Sequence, residues 1–369
     1  MLTPAGCRGR VARLRAALDA RLEAAIICRP EHLLYFANLY PHPNSLNLHS
    51  QSFLLVRREG STTLFIDNWM AGSAEPVADE IIVVDWYTGK EPARDRYHTV
   101  QSAVASRLAG LRVLGAETAV FPTPLGRAVE ELVDIGPLIN GLREVKDPDE
   151  LAVIGLGIQT AEAVHAASRE LLRPGLREID YYAALVERAT RAAERPFVMM
   201  CDLVSGERSA SGGGPPTTRI MQSGELVILD FFPYVEGYRG DITNTLVVGG
   251  EPRSEQSEAF ERAEAALRAG EAELRPGAPV AGIFAAMDAT LRERPPWSLN
   301  HHGGHGLGLG HPEPPHIVPR SDRTLQAGMV ITLEPGVYDP SFGGVRLEHD
   351  YLITPTGFER LSSHRLGLV

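Results

Sequence analysis

Cysteine is scarce, with three residues in 369, at positions 7, 28 and 201. Such an odd, scattered set excludes a disulfide framework and fits lone buried thiols in a reducing cytoplasm. Long apolar runs are missing as well. No stretch approaches the ~18 consecutive apolar residues of a membrane helix, and the N-terminus lacks the apolar core of a signal peptide. Positive charge is in deficit: 36 Lys and Arg against 47 Asp and Glu leave a net charge of −11. The arginines are scattered among acids, so no basic patch is available for a nucleic-acid backbone or an anionic membrane. These absences point to a cytoplasmic protein that works with neither nucleic acid nor membrane.

What is present suffices for real cores, since 44% of the residues are hydrophobic. Single cores rarely grow past roughly 250–300 residues, so two domains are expected. The first 140 residues alternate helical and strand patterns. "RVARLRAALDARL" has helical spacing; "AAIICR", "SFLLVRR", "TTLFID" and "EIIVVDW" read as strands; "YHTVQSAVASRLAGL" and "RVLGAE" read as a helix and a strand. This alternation predicts an α/β layer. The character changes at "REVKDPDELAVIGLG", where Asp147, Pro148 and Glu150 make an N-cap, a first-turn proline and a capping-box partner. We place a domain boundary at residue 143, giving units 1–143 and 144–369. The second unit is expected to hold helices near 148–172, 177–194, 254–273 and 279–292, with a strand pair near 225–248.

An internal repeat is the most informative feature. "RIMQSGELVILD" (219–230) and "RTLQAGMVITLE" (323–334) match position by position, and each apolar run ends in a carboxylate, Asp230 or Glu334. Downstream, "GYRGD" and "GVRLE" carry Arg239 and Asp241, then Arg346 and Glu348, each Arg two residues before its acid and so on the same strand face. A lone acid in an apolar strand fits an ion pair with one of these arginines. Four in matched positions call for pairing or a metal, because unpaired buried carboxylates are costly.

The segment "NHHGGHGLGLGHPEPPHI" (300–317) adds five histidines, 301, 302, 305, 311 and 316. Its glycines forbid a stable helix, making it a loop or bulged strand. The spacing leaves His301, His302, His305 and His311 open as ligands, and the glycines fall neither as G-x-G-x-x-G nor as a P-loop. Four carboxylates balance two divalent cations and leave room for a bridging hydroxide, with one imidazole completing an oxygen-rich set suited to Mn²⁺. The residues thus predict a dinuclear metallohydrolase.

These motifs resemble the pita-bread metallopeptidases, the family of methionine aminopeptidase, aminopeptidase P, prolidase and creatinase. The family's ligands match Asp230 in "VILDFFP", Asp241 in "YRGDITNT", His305 in "GGHGLG", Glu334 in "TLEPGVY" and Glu348 in "VRLEHD". The intervals of 11, 29 and 14 residues (Asp230 to Asp241, His305 to Glu334, Glu334 to Glu348) look like those of prolidases. The resemblance implies an α/β (α+β) chain: a creatinase-like N-terminal domain (1–143) and a pita-bread catalytic domain (144–369) with an internal pseudo-twofold duplication. It further implies two divalent ions (Mn, alternatively Co or Zn), Xaa-Pro peptides as substrates, a homodimer, and attack by a metal-bridging hydroxide. Glu334 would accept the proton of the attacking water, His301 and His311 would contact substrate or carry a proton, and Arg346 would hold Glu348 or a neighbouring acid. His302 and His316 have no counterpart and read as loop residues. The "YPHPNSLNLHS" loop (40–50) is a candidate for shaping the substrate's N-terminal end.

The sequence also departs from the family. A His pair commonly precedes the first Asp, whereas "SASGGGPPTTR" places Gly213 and Gly214 there; Asn244 replaces an Arg, and the His305–His311 spacing is one residue short. Metal chemistry looks intact, while the proline requirement is open. The alternatives are a hydrolase of Pro-free peptides or small amides, of the creatinase or ectoine-hydrolase kind, and a catalytically inactive binding protein.

Overall fold

A computed structural model describes residues 1–39, 52–72 and 75–369, and the "YPHPNSLNLHS" loop lies outside them. The chain divides into two compact units, Met1–Arg143 and Glu144–Val369.

In the first unit, α1 (Pro4–Ala17) starts well ahead of residue 10, where the apolar periodicity begins. Thr3 caps it by accepting from the Gly6 amide at 3.0 Å, and Pro4 occupies the first turn. Strand β1 (Ala24–Ile27) and helix α2 (Pro30–Ala37) follow, then β2 (Phe53–Arg57), β3 (Thr62–Asp67), β4 (Glu80–Val84) and α3 (Arg96–Leu108). The unit closes with β5 (Val113–Ala116), α4 (Thr123–Gly126), β6 (Glu131–Asp134) and α5 (Gly136–Glu144). The strands form one mixed sheet in the order β4-β3-β2-β1-β5-β6. Side chains such as Ile26, Phe53, Phe65, Val100 and Leu114 fill one core between sheet and helices, each contributing roughly 1.5–3 kcal/mol by leaving water. Helices α2, α4 and α5 and strand β6 are additions to the sequence reading, being too short to show a period.

The second unit opens with α6 (Pro148–Leu171), whose Asp147/Glu150 capping box is formed, the Asp147 amide donating to Glu150 Oε2 at 2.9 Å. Then come α7 (Glu178–Ala193), β7 (Cys201–Ser205), β8 (Leu226–Phe231), the short hairpin β9 (Tyr234–Val235) and β10 (Tyr238–Arg239), and β11 (Ile242–Val247). A second set follows: α8 (Ser254–Glu271), α9 (Val280–Arg292), β12 (Val330–Leu333), the hairpin β13 (Gly336–Asp339) and β14 (Gly343–Arg346), β15 (His349–Thr354) and β16 (Gly357–Arg360).

The duplication is physical. β8 pairs antiparallel with β11 across the first hairpin, and β12 pairs antiparallel with β15 across the second. Each half packs its own helix pair on its own strands: α6 and α7 over β8 and β11 around Leu185, Leu229 and Phe231, and α8 and α9 over β12 and β15 around Leu267, Ile283 and Ile331. The matching "R-x-[ML]-Q" segments do the same work. Gly175 donates to Met221 O and Glu178 to Arg219 O (each 2.9 Å), while Gly277 donates to Leu325 O (2.8 Å) and Val280 to Arg323 O (3.0 Å). Both repeats therefore tie the start of a second helix to the strand that carries the acid. Among the described residues no helix is long and apolar enough to cross a membrane.

Candidate metal centre

The duplicated strands bring all four acids to one place. Asp230 sits near the end of β8, Asp241 just before β11, Glu334 just past β12 and Glu348 just before β15. All four are buried, and the strand of Asp230, β8, is otherwise apolar. The fifth predicted residue, His305, arrives on the Gly-rich segment, which is irregular, as its glycines require. That segment runs beside β12, with Thr332 N–H donating to His305 O at 2.8 Å and Leu307 N–H to Val330 O at 2.9 Å. Gly304 makes the approach possible. Its φ of +146° and the 2.8 Å from an added Cβ to the Thr332 carbonyl carbon leave no room for a side chain.

The donor atoms converge. One atom each from Asp230, Asp241 and Glu348 lie within 4.8 Å of one another, as do atoms from His305, Glu334 and Glu348. The two groups share Glu348, so they are adjacent. His305 donates through Nδ1 to the Gly306 carbonyl (2.9 Å), which turns Nε2 towards Asp241 Oδ2 (3.4 Å) and Glu334 Oε1 (3.6 Å). Thr243 Oγ1 donates to Glu348 Oε2 at 2.6 Å and fixes that carboxylate. Arg346 Nη2 donates to Asp230 Oδ2 at 2.7 Å and to Asp202 Oδ2 at 3.0 Å.

Three oxygens are left over. Asp230 Oδ1, Glu334 Oε1 and Glu348 Oε1 are buried with no hydrogen-bond partner, and leaving such groups unsatisfied costs about 1–3 kcal/mol each, more when charged. Burial, together with nearby Asp241, Glu334 and Asp230, pushes Glu348 well above the usual carboxylate range. Burial raises Asp230 likewise, against the opposing charge of Arg346. Burial also works against ionisation of Asp241, but hydrogen bonds from His305 and His311 hold its carboxyl low. Carboxylates plus one imidazole, clustered with buried oxygens that lack hydrogen bonds, fit divalent cations.

The remaining sequence candidates are placed as follows. His311 Nε2 lies 2.8 Å from Asp241 Oδ2, and its ring stacks on Phe232 with centroids 4.5 Å apart. His301 donates through Nδ1 to the His302 carbonyl (2.6 Å) and accepts from the Tyr338 hydroxyl (3.0 Å); burial lowers its pKa to about 4. Arg346 binds Asp230 rather than Glu348, because its side chain crosses from β14 to β8. Arg239 takes no such role: its guanidinium lies over the Tyr234 ring and reaches Met200 Sδ. The two arginines of the repeat are thus not equivalent. His302 needs correction, since its Nδ1 is 3.2 Å from Glu334 Oε1 and it lines the cavity. The turn at Gly303 and Gly304 swings it inward. His316 is exposed, as a loop residue should be.

The centre opens into a cavity of about 120 Å³. Asp202, on β7 directly opposite Asp230, lines it and was missed. The signal was available, since "CDLVSG" sets an acid in a strand run just as "VILDFF" does. Asp202 also fills the space beside the bare glycines: it accepts from Gly214 N–H at 2.8 Å, and a Cβ on Gly213 would lie 2.7 Å from its Cγ.

Comparison with known proteins agrees with this construction. The family model for metallopeptidase family M24 matches residues 157–355, and the creatinase/prolidase N-terminal domain matches residues 10–145. The chain belongs to metallopeptidase family M24. It is therefore a hydrolase with the two-part architecture of creatinase-type N-terminal domain and pita-bread domain. An Xaa-Pro dipeptidase of Pyrococcus furiosus is 35% identical over 63% of this chain and 67% of its own length. An uncharacterized peptidase of Bacillus subtilis is 34% identical over 62% of this chain and 64% of its own. The solved Xaa-Pro dipeptidase from Bacillus anthracis superposes with a TM-score of 0.84 at 25% identity, covering 98% of this M24 chain and 99% of that one.

Proposed function

We propose that this M24 member is an exopeptidase cleaving Xaa-Pro bonds, as a dipeptidase or aminopeptidase, with two divalent ions held by Asp230, Asp241, His305, Glu334 and Glu348. The convergence of these five donors, with Asp230 Oδ1 and Glu348 Oε1 buried and without a hydrogen-bond partner, carries the reading. Manganese is the first choice for so oxygen-rich a set, with cobalt or zinc as alternatives. Bound there, the ions would supply Lewis acidity towards the scissile carbonyl and the attacking water.

The chain's own groups do the rest. Arg346 positions Asp230 through its 2.7 Å hydrogen bond, and Thr243 orients Glu348. Glu334, buried and with His302 Nδ1 3.2 Å from its Oε1, accepts the proton of the attacking water. The His301–Tyr338 pair, hydrogen-bonded at 3.0 Å, can hand on a proton. We assign residues 1–143 to a creatinase-like domain and 144–369 to the catalytic domain. The protein is expected to be a homodimer; three cysteines, none of them in a disulfide, support a cytoplasmic setting.

A second reading keeps the hydrolase and changes the substrate to a Pro-free peptide or small amide. Asp202 favours it, because this acid stands against the two glycines where the resemblance expects a histidine pair. The test is to measure bound metal, then hydrolysis of Ala-Pro, a longer Xaa-Pro peptide and a Pro-free dipeptide with Mn²⁺ added. No metal uptake would reject the metallopeptidase mechanism, and cleavage confined to the Pro-free dipeptide would reject the proline reading.

A further inference from the structure

Among the acids lining the cavity, Asp202 is the one that the five-donor set does not use. Its side chain is 29% exposed, against 9% for Asp230, 2% for Asp241 and 7% for Glu334, so it is the carboxylate that a substrate meets. The group is held firmly. Oδ1 accepts from the Gly214 amide at 2.8 Å and Oδ2 from Arg346 Nη2 at 3.0 Å. Gly213 leaves it room, since a Cβ there would lie 2.7 Å from the Asp202 Cγ.

Among the described residues Arg346 is the only lysine or arginine lining the cavity. Its Nη2 also donates to Asp230 Oδ2 at 2.7 Å, so this cation is already matched. With the four ligand acids set against two divalent ions and Asp202 against Arg346, no positive charge is left over for a substrate. A dipeptide carries its free carboxylate two bonds beyond the scissile nitrogen, and the cavity is only about 120 Å³. The carboxylate would face Asp202 with no cation to receive it, and like charges at short range in a partly desolvated site repel strongly. A peptide bond or primary amide at the same point is uncharged, and its N–H can donate to Asp202.

We propose that Asp202 is a specificity-determining residue that rejects a free carboxylate next to the scissile bond, so that the substrates are longer peptides or C-terminal amides rather than free dipeptides. This rests on the peptidase reading above and narrows it to the aminopeptidase side. The discrimination comes from a repulsive element rather than from an added contact.

The test compares kcat/KM for Ala-Pro with Ala-Pro amide, and for Ala-Ala with Ala-Ala amide, in the Mn²⁺-loaded wild type and in Asp202→Asn. Asparagine keeps an acceptor oxygen for the Gly214 amide and removes the charge. In the wild type each amide should exceed its free acid by at least about tenfold, a modest share of the repulsion between two like charges at close range. In Asp202→Asn that preference should collapse, mainly through a lower KM for the free acids. Titration calorimetry with proline and prolinamide reads the same preference as binding, without turnover. A wild type that favours the free acids, or a preference unchanged in Asp202→Asn, overturns the assignment. A poorly folded variant lowers both members of a pair alike and does not mask their ratio. An amide preference kept on the Ala-Ala pair, with neither Xaa-Pro compound cleaved, would reject the proline reading and sustain this one. Turnover of none of the four would reject both.

Discussion

Two glycines in α6 should respond to the same substitution with opposite signs. Gly157 faces the turn before β11: a Cβ there would sit 2.7 Å from the Arg239 carbonyl carbon, and a Cβ on Gly240 would sit 2.5 Å from the Gly157 carbonyl carbon. Gly155 has nothing within 4 Å. Helix propensity alone favours Ala over Gly by about 1 kcal/mol at either site. At Gly155 nothing opposes that gain, so Gly155→Ala should stabilise by about 0.5–1 kcal/mol. At Gly157 the backbones must part by about 1 Å to reach an ordinary contact, and overpacking of this kind costs about 1–3 kcal/mol. The colliding atoms are backbone and cannot swing away, so the upper end applies and about 2 kcal/mol of net loss remains. At about 2–4 °C per kcal/mol for a unit this size, Gly157→Ala should melt roughly 4–8 °C lower. Gly155→Ala should melt a few degrees higher. Calorimetry of both variants, with and without Mn²⁺, decides the matter. Because Gly240 adjoins Asp241, the Gly157 variant should also bind metal more weakly. Equal or higher melting of Gly157→Ala would refute the claim that close packing of α6 sets the position of Asp241.

Three further outcomes follow from the same geometry. Glu334→Gln should lower kcat by about 10²–10⁴-fold, the usual worth of a positioned base; steady-state rates within tenfold of wild type would exclude Glu334 from proton transfer. A chelator should lower the melting temperature, and Mn²⁺ restored to 100 times its Kd should return about 2.7 kcal/mol; an unchanged melt would mean that no ion is held by the folded state. Burial holds the His364 imidazole neutral, its pKa down to about 4 from the ordinary 6.5. Below pH 6.5 the unfolded chain therefore takes up a proton that the folded chain refuses. The contribution is intact above that pH and lost as pH falls towards 4, at up to about 1.4 kcal/mol per pH unit. His364→Gln, which can still donate to Thr243 O, should flatten the slope of unfolding free energy between pH 6.5 and 4 by about one proton. An unchanged slope would place the acid sensitivity elsewhere.

The acids of the centre were legible because each breaks a local rule. Asp230 and Glu334 interrupt apolar strand runs, and the repeat aligned them before any geometry was known. The long helices were legible for the ordinary reason that α6, α7, α8 and α9 run for several turns, enough to show a period. What stayed hidden was set by tertiary direction. The spacing of Arg239 and Arg346 is the same in both halves, yet only Arg346 enters the site, because β14 passes beside β8 whereas β10 pairs with β9 and its Arg239 lies over Tyr234 there. His302 looked like any loop histidine, since nothing in its neighbours reveals which way a Gly-Gly turn will face it. Asp202 was legible in principle by the same logic as Asp230, but it has no repeat partner to draw attention to it.

That missing partner explains how a duplicated scaffold makes an asymmetric site. With Asp230 matched to Glu334, the strands beside them also correspond. β7 pairs Asp202 with Asp230 and Val204 with Ile228. In the other half Glu334 N–H donates to Gly303 O at 3.0 Å and Thr332 N–H to His305 O at 2.8 Å. Gly303 thus stands where Asp202 does, and His305 stands where Val204 does. One half lends an imidazole and withholds the extra acid; the other lends an acid and withholds the imidazole. The acid is matched by Arg346, while the imidazole stands beside Glu334 and Asp241. Chain duplication alone would give two equal acid pairs with no preferred direction for a substrate. The exchange of side chains on the flanking strands makes one end of the cavity carboxylate-rich and the other imidazole-rich. Swapping the pattern, with Val204→His and His305→Val, should therefore leave the four acids in place yet fail to restore the same metal binding. The flanking positions also border Gly213 on one side and the His311 loop on the other, and these surroundings have no twofold counterpart.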